Sequence, residues 1–276
     1  MTILLTILII SIIFIILFLM AIAPKIPKRD ITDSIKDFYL FYYAHRGLFD
    51  NKNSCPENSL AAFKHAVDKG YGIELDVQLT KDNKVIVFHD DSLFRMCGIE
   101  KTINEMTYNE LSNLRLLGTE EKIPLLTEVL EIIAGRVPLI IEIKLPNIDA
   151  KVCSYINDIL LSYTGSYCIE SFNPLVLRWY KKNHPNVIRG QLSGGLLHES
   201  SKKEYTLNLL LSFLTFNFLS KPDFIAYYHF EKRNISLLIN KYLFRTSTVA
   251  WTIKSQNEYE NCKYFFDIFI FDSFNL

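Results

Sequence analysis

The chain has 276 residues, 49% of them hydrophobic, and its 30 basic side chains balance 30 acidic ones. Zero net charge excludes the broad electrostatic attraction that nucleic-acid binding uses, so no nucleic-acid partner is expected. Five scattered cysteines (Cys55, Cys97, Cys153, Cys168 and Cys262) lack metal-finger spacing, which excludes a zinc scaffold and reads as reduced thiols.

The first element is an uncharged run from Ile3 to Ala23. At a rise of about 1.5 Å per residue it can cross a hydrocarbon layer of roughly 30 Å. A cleaved signal peptide ending at Ala21-Ile22-Ala23 is the competing reading. No Lys or Arg precedes the run, it is long for a signal core, and Pro24 would follow the cut. Residues 1–24 are therefore expected to be a retained transmembrane anchor, contacting membrane lipid through residues 3–23. Lys25, Lys28, Arg29 and Lys36 all follow the run, which predicts a single-pass cell-membrane protein with a cytoplasmic C-terminal domain. Residues 25–40 read as a charged linker, and residues 41–276 as one domain.

In that domain, apolar β-rich runs alternate with amphipathic stretches. Strands are expected at Phe41–Ala44, Gly72–Val77, Lys84–Phe88, Pro138–Ile143, Tyr167–Glu170, Val187–Gln191, Phe224–Tyr227, Thr248–Thr252 and Ile268–Phe271. Helices are expected at Ser59–Lys69, Leu125–Ile133, Ala150–Tyr163, Pro174–Asn183 and Gln256–Phe265. Such alternation predicts an α/β fold with a parallel sheet, open or closed. A closed barrel needs eight strands, so at least one of these candidates is misassigned or lies outside it. Asp76 to Lys84 is too short for a helix. Thr80-Lys81-Asp82-Asn83 reads as a turn with Asn83 left-handed, so a barrel here would be irregular. Tyr205–Ser220 is apolar with a thin polar stripe (Asn208, Ser212, Thr215), suited to a buried barrel helix or to an interfacial helix beside the membrane.

Chemistry gathers at the ends of the apolar runs. Glu74 and Asp76 are two apart on a strand and so share a face, close enough to bind one cation. Glu142, in Glu142-Ile143-Lys144, adds a third carboxylate. Three carboxylates form a hard, all-oxygen site suited to Mg²⁺ or Ca²⁺. In His45-Arg46-Gly47, glycine allows a close backbone turn, arginine matches phosphate oxygens, and histidine exchanges a proton near neutral pH. His89-Asp90 supplies a second histidine. Phe172 and Trp251 end strands, where they line a pocket or pack. His65, His184, His198 and His229 read as helix-surface, helix-end or loop residues.

The order and spacing of His45-Arg46-Gly47, Pro56-Glu57-Asn58-Ser59, Glu74-Leu75-Asp76-Val77, Thr80-Lys81-Asp82, His89-Asp90 and Glu142-Ile143-Lys144 resemble the glycerophosphodiester phosphodiesterase family. Ser171-Phe172-Asn173-Pro174, Trp251-Thr252-Ile253 and a last strand ending at Asp272 extend the resemblance over residues 41–276. The chain departs from the family at Phe265-Phe266-Asp267-Ile268, where members commonly carry Gly-x-Asp-Gly. The resemblance implies a TIM-type (βα)8 barrel with its site at the C-terminal strand ends. It implies His45 and His89 as general acid and base, in unassigned order. It implies Glu74, Asp76 and Glu142 as ligands of a divalent cation, and Arg46 and Lys144 as a phosphate clamp. The activity expected is metal-dependent hydrolysis of glycerophosphodiesters to sn-glycerol 3-phosphate and an alcohol. The alternatives are a lysophospholipase D acting on membrane lysophospholipids, which the anchor and Tyr205–Ser220 motivate, or an inactive membrane-tethered binding barrel.

Overall fold

The structure, a computed structural model, describes residues 2–25, 35–145, 151–197, 201–272, 274 and 276. The strands are β1 (Tyr43–His45), β2 (Gly72–Leu79), β3 (Val85–Val87), β4 (Leu139–Ile143), β5 (Tyr167–Ser171), β6 (Arg189–Ser193), β7 (Phe224–Tyr228), β8 (Ser247–Ile253) and β9 (Ile268–Phe271). Eight of them close in the order β1-β2-β4-β5-β6-β7-β8-β9, each parallel to its neighbours, with β9 returning to β1. The fold is therefore the expected TIM-type barrel. The surplus strand is β3, which pairs antiparallel with β2 outside the ring, Val77 opposite Val87. Asn83 takes the left-handed conformation in the tight connection between them, at φ 59°. The barrel helix missing after β2 is replaced by an excursion with its own apolar cluster, including Ile86, Phe88, Leu93 and Leu111.

Strand parity builds two layers. Ile73, Leu75 and Val77 of β2 and Leu139, Ile141 and Ile143 of β4 point outward into the helical shell. Inward, the lower barrel is filled by Tyr43, Ile140, Cys168, Phe224, Val249, Ile268 and Ile270. Ile35 and Phe38, from the end of the expected linker, close the base, where the Tyr43 hydroxyl donates to the Phe38 carbonyl at 3.2 Å. Helix Leu60–Asp68 begins where expected because Ser59 Oγ accepts from Ala62 N–H at 3.1 Å.

Three sequence expectations shift. β6 starts two residues later than Val187, because the Val187 carbonyl is taken by Arg189 Nη1 at 3.2 Å. The helix begun at Gln256 stops at Cys262 instead of Phe265. Tyr205–Ser220 divides into helices Tyr205–Ser212 and Asn217–Ser220, with Leu214 left-handed at φ 57°. The start of the Ala150–Tyr163 helix, His198, and Lys28 and Arg29 lie outside the described residues.

Thr2–Ile22 forms one helix, and its Ile3–Ile22 segment has mean hydropathy 3.4. Most of it contacts nothing in the chain, but its last turn is docked. Ile22 is buried, and its carbonyl accepts from Asn217 Nδ2 at 2.9 Å and Asn240 Nδ2 at 3.2 Å. The Ala23 carbonyl accepts from Lys221 Nζ at 3.0 Å, and Lys25 Nζ pairs with Asp223 Oδ1 at 2.9 Å.

Candidate active site

The register of the barrel aligns the acids. Glu74 lies beside His45 across β1–β2, Asp76 beside Glu142 across β2–β4, and Glu142 beside Glu170 across β4–β5. All four carboxylates are buried. With His45, His89, Arg46, Lys144, Phe172 and Trp251 they surround the C-terminal mouth, and all of these ten side chains but Asp76 line a cavity of about 360 Å³. Every residue named from the sequence as catalytic, metal-ligating or substrate-binding thus lies at this one end of the barrel.

One oxygen each from Glu74, Asp76 and Glu142 lie within 4.8 Å of one another. Lys144 Nζ bridges two of these acids, at 2.8 Å from Glu142 Oε1 and 3.1 Å from Asp76 Oδ1. Arg46 Nε lies 3.4 Å from Asp76 Oδ2, and the Arg46 backbone N–H donates to Glu74 Oε2 at 3.1 Å. Charge still does not balance. Burial, then Asp76, Glu170 and Glu142, push Glu74 well above the ordinary carboxylate range. Burial also raises Glu142, and Lys144 opposes it. Against burial, Lys144, His89 and Arg46 hold Asp76 well below that range. Four buried acids facing two buried cations are short of positive charge, and Glu170 Oε2 has no hydrogen-bond partner. An all-oxygen set of this kind fits a hard divalent cation.

The two histidines differ. His45 Nδ1 lies 3.1 Å from Asp272 Oδ2, which leaves Nε2 on the cavity side, 3.9 Å from Glu74 Oε2. A carboxylate only accepts, so Nδ1 carries the proton and Nε2 the lone pair. Burial first, and then Arg46, lower the His45 pKa to about 4, while Asp272 raises it. His89 is more open, with Nδ1 2.6 Å from Asp90 Oδ1. Gln78 Nε2 fixes the His89 loop, lying 3.0 Å from the carbonyls of Phe88, His89 and Asp90.

The loop after β1 is strained into place. Arg46 and Gly47 both have positive φ, 57° and 80°. A Cβ on Gly47 would lie 2.8 Å from the Ala62 carbonyl carbon, so only glycine fits. Asn58, also left-handed at φ 55°, donates its backbone N–H to Arg46 O and its Nδ2 to Asp76 Oδ2, both at 2.9 Å. Glu57 accepts from Arg46 Nη1 at 2.6 Å and from both terminal nitrogens of Arg95, at 2.8 and 2.7 Å. Although burial raises its pKa, Arg95 and Arg46 hold Glu57 at about 2.

At the far side of the mouth, Phe172 and Trp251 meet edge to face, centroids 5.6 Å apart, and Trp251 Nε1 donates to Ser193 O at 3.2 Å. Both line the cavity. Sequence reasoning left Glu57, Asn58, Arg95, Glu170 and Asp272 without roles. Glu170 carried a usable signal, because it shares strand parity with Phe172 and ends an apolar run. Arg95 carried none, since only the folding of the excursion brings it to Glu57. The other described histidines stay outside: His65 sits 3.5 Å from Cys55 Sγ, His184 packs on Trp179, and His229 lies 3.4 Å from Glu258.

A closed parallel barrel with its charged residues gathered on the C-terminal rim is an enzyme architecture. The sequence profile of the glycerophosphoryl diester phosphodiesterase family matches residues 45–266, and the chain belongs to that family. A glycerophosphodiester phosphodiesterase of Caldanaerobacter subterraneus subsp. tengcongensis is 39% identical over 164 residues, 54% of this chain and 65% of that protein. One of Bacillus altitudinis is 34% identical over 171 residues, 57% of this chain and 68% of that protein. A lysophospholipase D of Rattus norvegicus is 38% identical over 169 residues, 56% of this chain and 47% of that protein. The matches thus span about two thirds or less of these relatives' lengths. The barrel also superposes on an Oleispira antarctica phosphodiesterase solved with its product sn-glycerol-3-phosphate, with TM-score 0.67 and 22% identity over 84% of this chain and 92% of that one.

Proposed function

We propose that the chain is a metal-dependent glycerophosphodiester phosphodiesterase releasing sn-glycerol 3-phosphate and an alcohol. The observation that carries this reading is the meeting, at one mouth of the barrel, of two histidines, an Arg/Lys pair and three carboxylates whose oxygens lie within 4.8 Å. Glu74, Asp76 and Glu142 would hold the cation, Mg²⁺ or Ca²⁺. When bound, such a cation neutralises the diester and stabilises the charge that develops on its oxygens. Arg46 and Lys144 bind and orient the same anion. His45, neutral at physiological pH and oriented by Asp272, accepts the proton of the attacking oxygen at Nε2. His89, oriented by Asp90 at 2.6 Å from its Nδ1, donates a proton to the departing alkoxide. Each transfer is typically worth about 10²–10⁴-fold. Phe172 and Trp251 form the apolar side of the substrate site.

The test is release of sn-glycerol 3-phosphate from glycerophosphocholine and glycerophosphoethanolamine by the full chain, with and without Mg²⁺ or Ca²⁺. Absence of product under every metal condition would overturn the reading. A lysophospholipase D activity is a second reading, favoured by the apolar helix Thr2–Ile22 and by the named rat relative. Turnover of vesicle-borne lysophosphatidylcholine against glycerophosphocholine separates the two. Residues 1–24 serve in both readings as a retained single-pass anchor, with the domain of residues 41–276 on the cytoplasmic side.

A further inference from the structure

The barrel wall over β6–β8 carries features the active site does not use. Residues 201–245 hold seven basic and three acidic side chains in a chain whose overall charge is zero. On the same wall Leu207, Leu210, Phe218, Tyr242 and Leu243 are exposed. In the helix Tyr205–Ser212 the buried residue is Ser212, whose carbonyl accepts from the Tyr227 hydroxyl at 2.7 Å, while Leu207 and Leu210 are left exposed to solvent.

The apolar N-terminal helix ends in this wall. The last carbonyls of a helix lack intrahelical partners. Here Asn217 and Asn240, both fully buried, supply amides to Ile22 O, and Lys221 supplies its ammonium to Ala23 O. Lys25 then pairs with Asp223, whose other oxygen accepts from the Arg189 backbone N–H at 3.1 Å. The helix is fastened to the wall instead of hanging from a loose tether.

We propose that the β6–β8 wall is a membrane-seated face, with the surface of an anionic bilayer as its occupant. The proposal rests on the retained-anchor reading and is independent of the catalytic one. Three observations favour a bilayer over a second copy of the chain. The two helices that hold the end of the anchor through Asn217 and Asn240 also carry exposed Phe218 and Tyr242. A surplus of positive charge lies in the same stretch, as anionic headgroups require. The docked last turn fixes the distance between wall and membrane. Phe230 and Ile235, exposed on the loop that follows β7, carry the same face up to the rim of the mouth.

The experiment places a polarity-sensitive fluorophore on the full chain in vesicles of phosphatidylcholine and phosphatidylglycerol containing brominated lipid. The label is attached through Leu210→Cys or Leu243→Cys on this wall. The opposite wall is read through Leu117→Cys or Glu120→Cys, on the excursion beside β2, with Cys97→Ser as background. Labels on the β6–β8 wall are expected to be quenched several-fold more than those opposite, and the difference should shrink when phosphatidylglycerol is omitted. Equal quenching of the two walls with an intact N-terminus overturns the seating alone. Shielding that is independent of brominated lipid and vanishes on dilution assigns the face to a second copy and also overturns it. A mature N-terminus at Pro24 overturns the proposal through its premise. Glycerophosphodiester turnover, measured in parallel, shows whether the catalytic reading stands or falls separately.

Discussion

The two ends of the barrel interior are built from the same strands and differ by one inward step. Tyr43, Ile140, Cys168 and Ile270 fill the base, and the next inward residues on those strands are His45, Glu142, Glu170 and Asp272 at the mouth. The lower layer is an apolar plug. The upper layer gathers buried acids that repel one another around two cations, beside a loop with four left-handed residues. Stability is concentrated in one layer and reactivity in the other, a division that a closed sheet with period-two side chains makes available. Substitutions in the two layers should therefore separate folding from turnover.

Removing divalent cations with a chelator gives the largest expected effect. Hydrolysis should be lost and should return on adding back Mg²⁺ or Ca²⁺, checked by release of sn-glycerol 3-phosphate. The melting temperature should also rise with the metal, because relief of the four-acid repulsion favours the folded state. At 100 times the dissociation constant the gain is about 2.7 kcal/mol. Undiminished activity after exhaustive chelation would separate the acid cluster from catalysis. Next, His45→Ala and His89→Ala should each lower kcat by about 10²–10⁴-fold with little change in melting temperature. A variant retaining full turnover would remove its histidine from the mechanism. In the lower layer, Ile140→Ala should behave oppositely, destabilising by ~2–5 kcal/mol in denaturant titration while kcat of the folded fraction stays near its starting value. A large loss of kcat there would show that the two layers are not separable.

The contrast also explains what was legible. Apolar runs mark every barrel strand, and the candidate acids, bases and cations betray themselves as polar groups at the ends of such runs, as Glu74 and Asp76 do on β2. Asn83 was readable because a connection this short demands a left-handed residue. Arg95 and Asn58 were not, since each acquires its partner only through tertiary folding. The docking of Ile22 was equally hidden. Its two amide donors lie about two hundred residues away, at Asn217 and Asn240. Nor does periodicity give the register of β6, which depends on how the buried Arg189 side chain uses nearby carbonyls.

The smallest and most diagnostic effect concerns Asp272, which holds His45 in the layer above Ile270. Asp272 raises the His45 pKa against burial and Arg46, and it fixes the proton on Nδ1. Asp272→Asn removes that raising influence, so the acidic limb of the rate profile should move to lower pH, and kcat should fall about tenfold as orientation is lost. Stability should respond with a defined sign. His45 has a folded pKa of about 4, below its ordinary 6.5, so it opposes folding as pH falls through that window. The variant should lose more stability than the wild type between pH 6.5 and 4. Replacing His45 itself with Gln should abolish that difference. An unchanged acidic limb in Asp272→Asn would instead assign the limb to His89 and reverse the two histidines' roles.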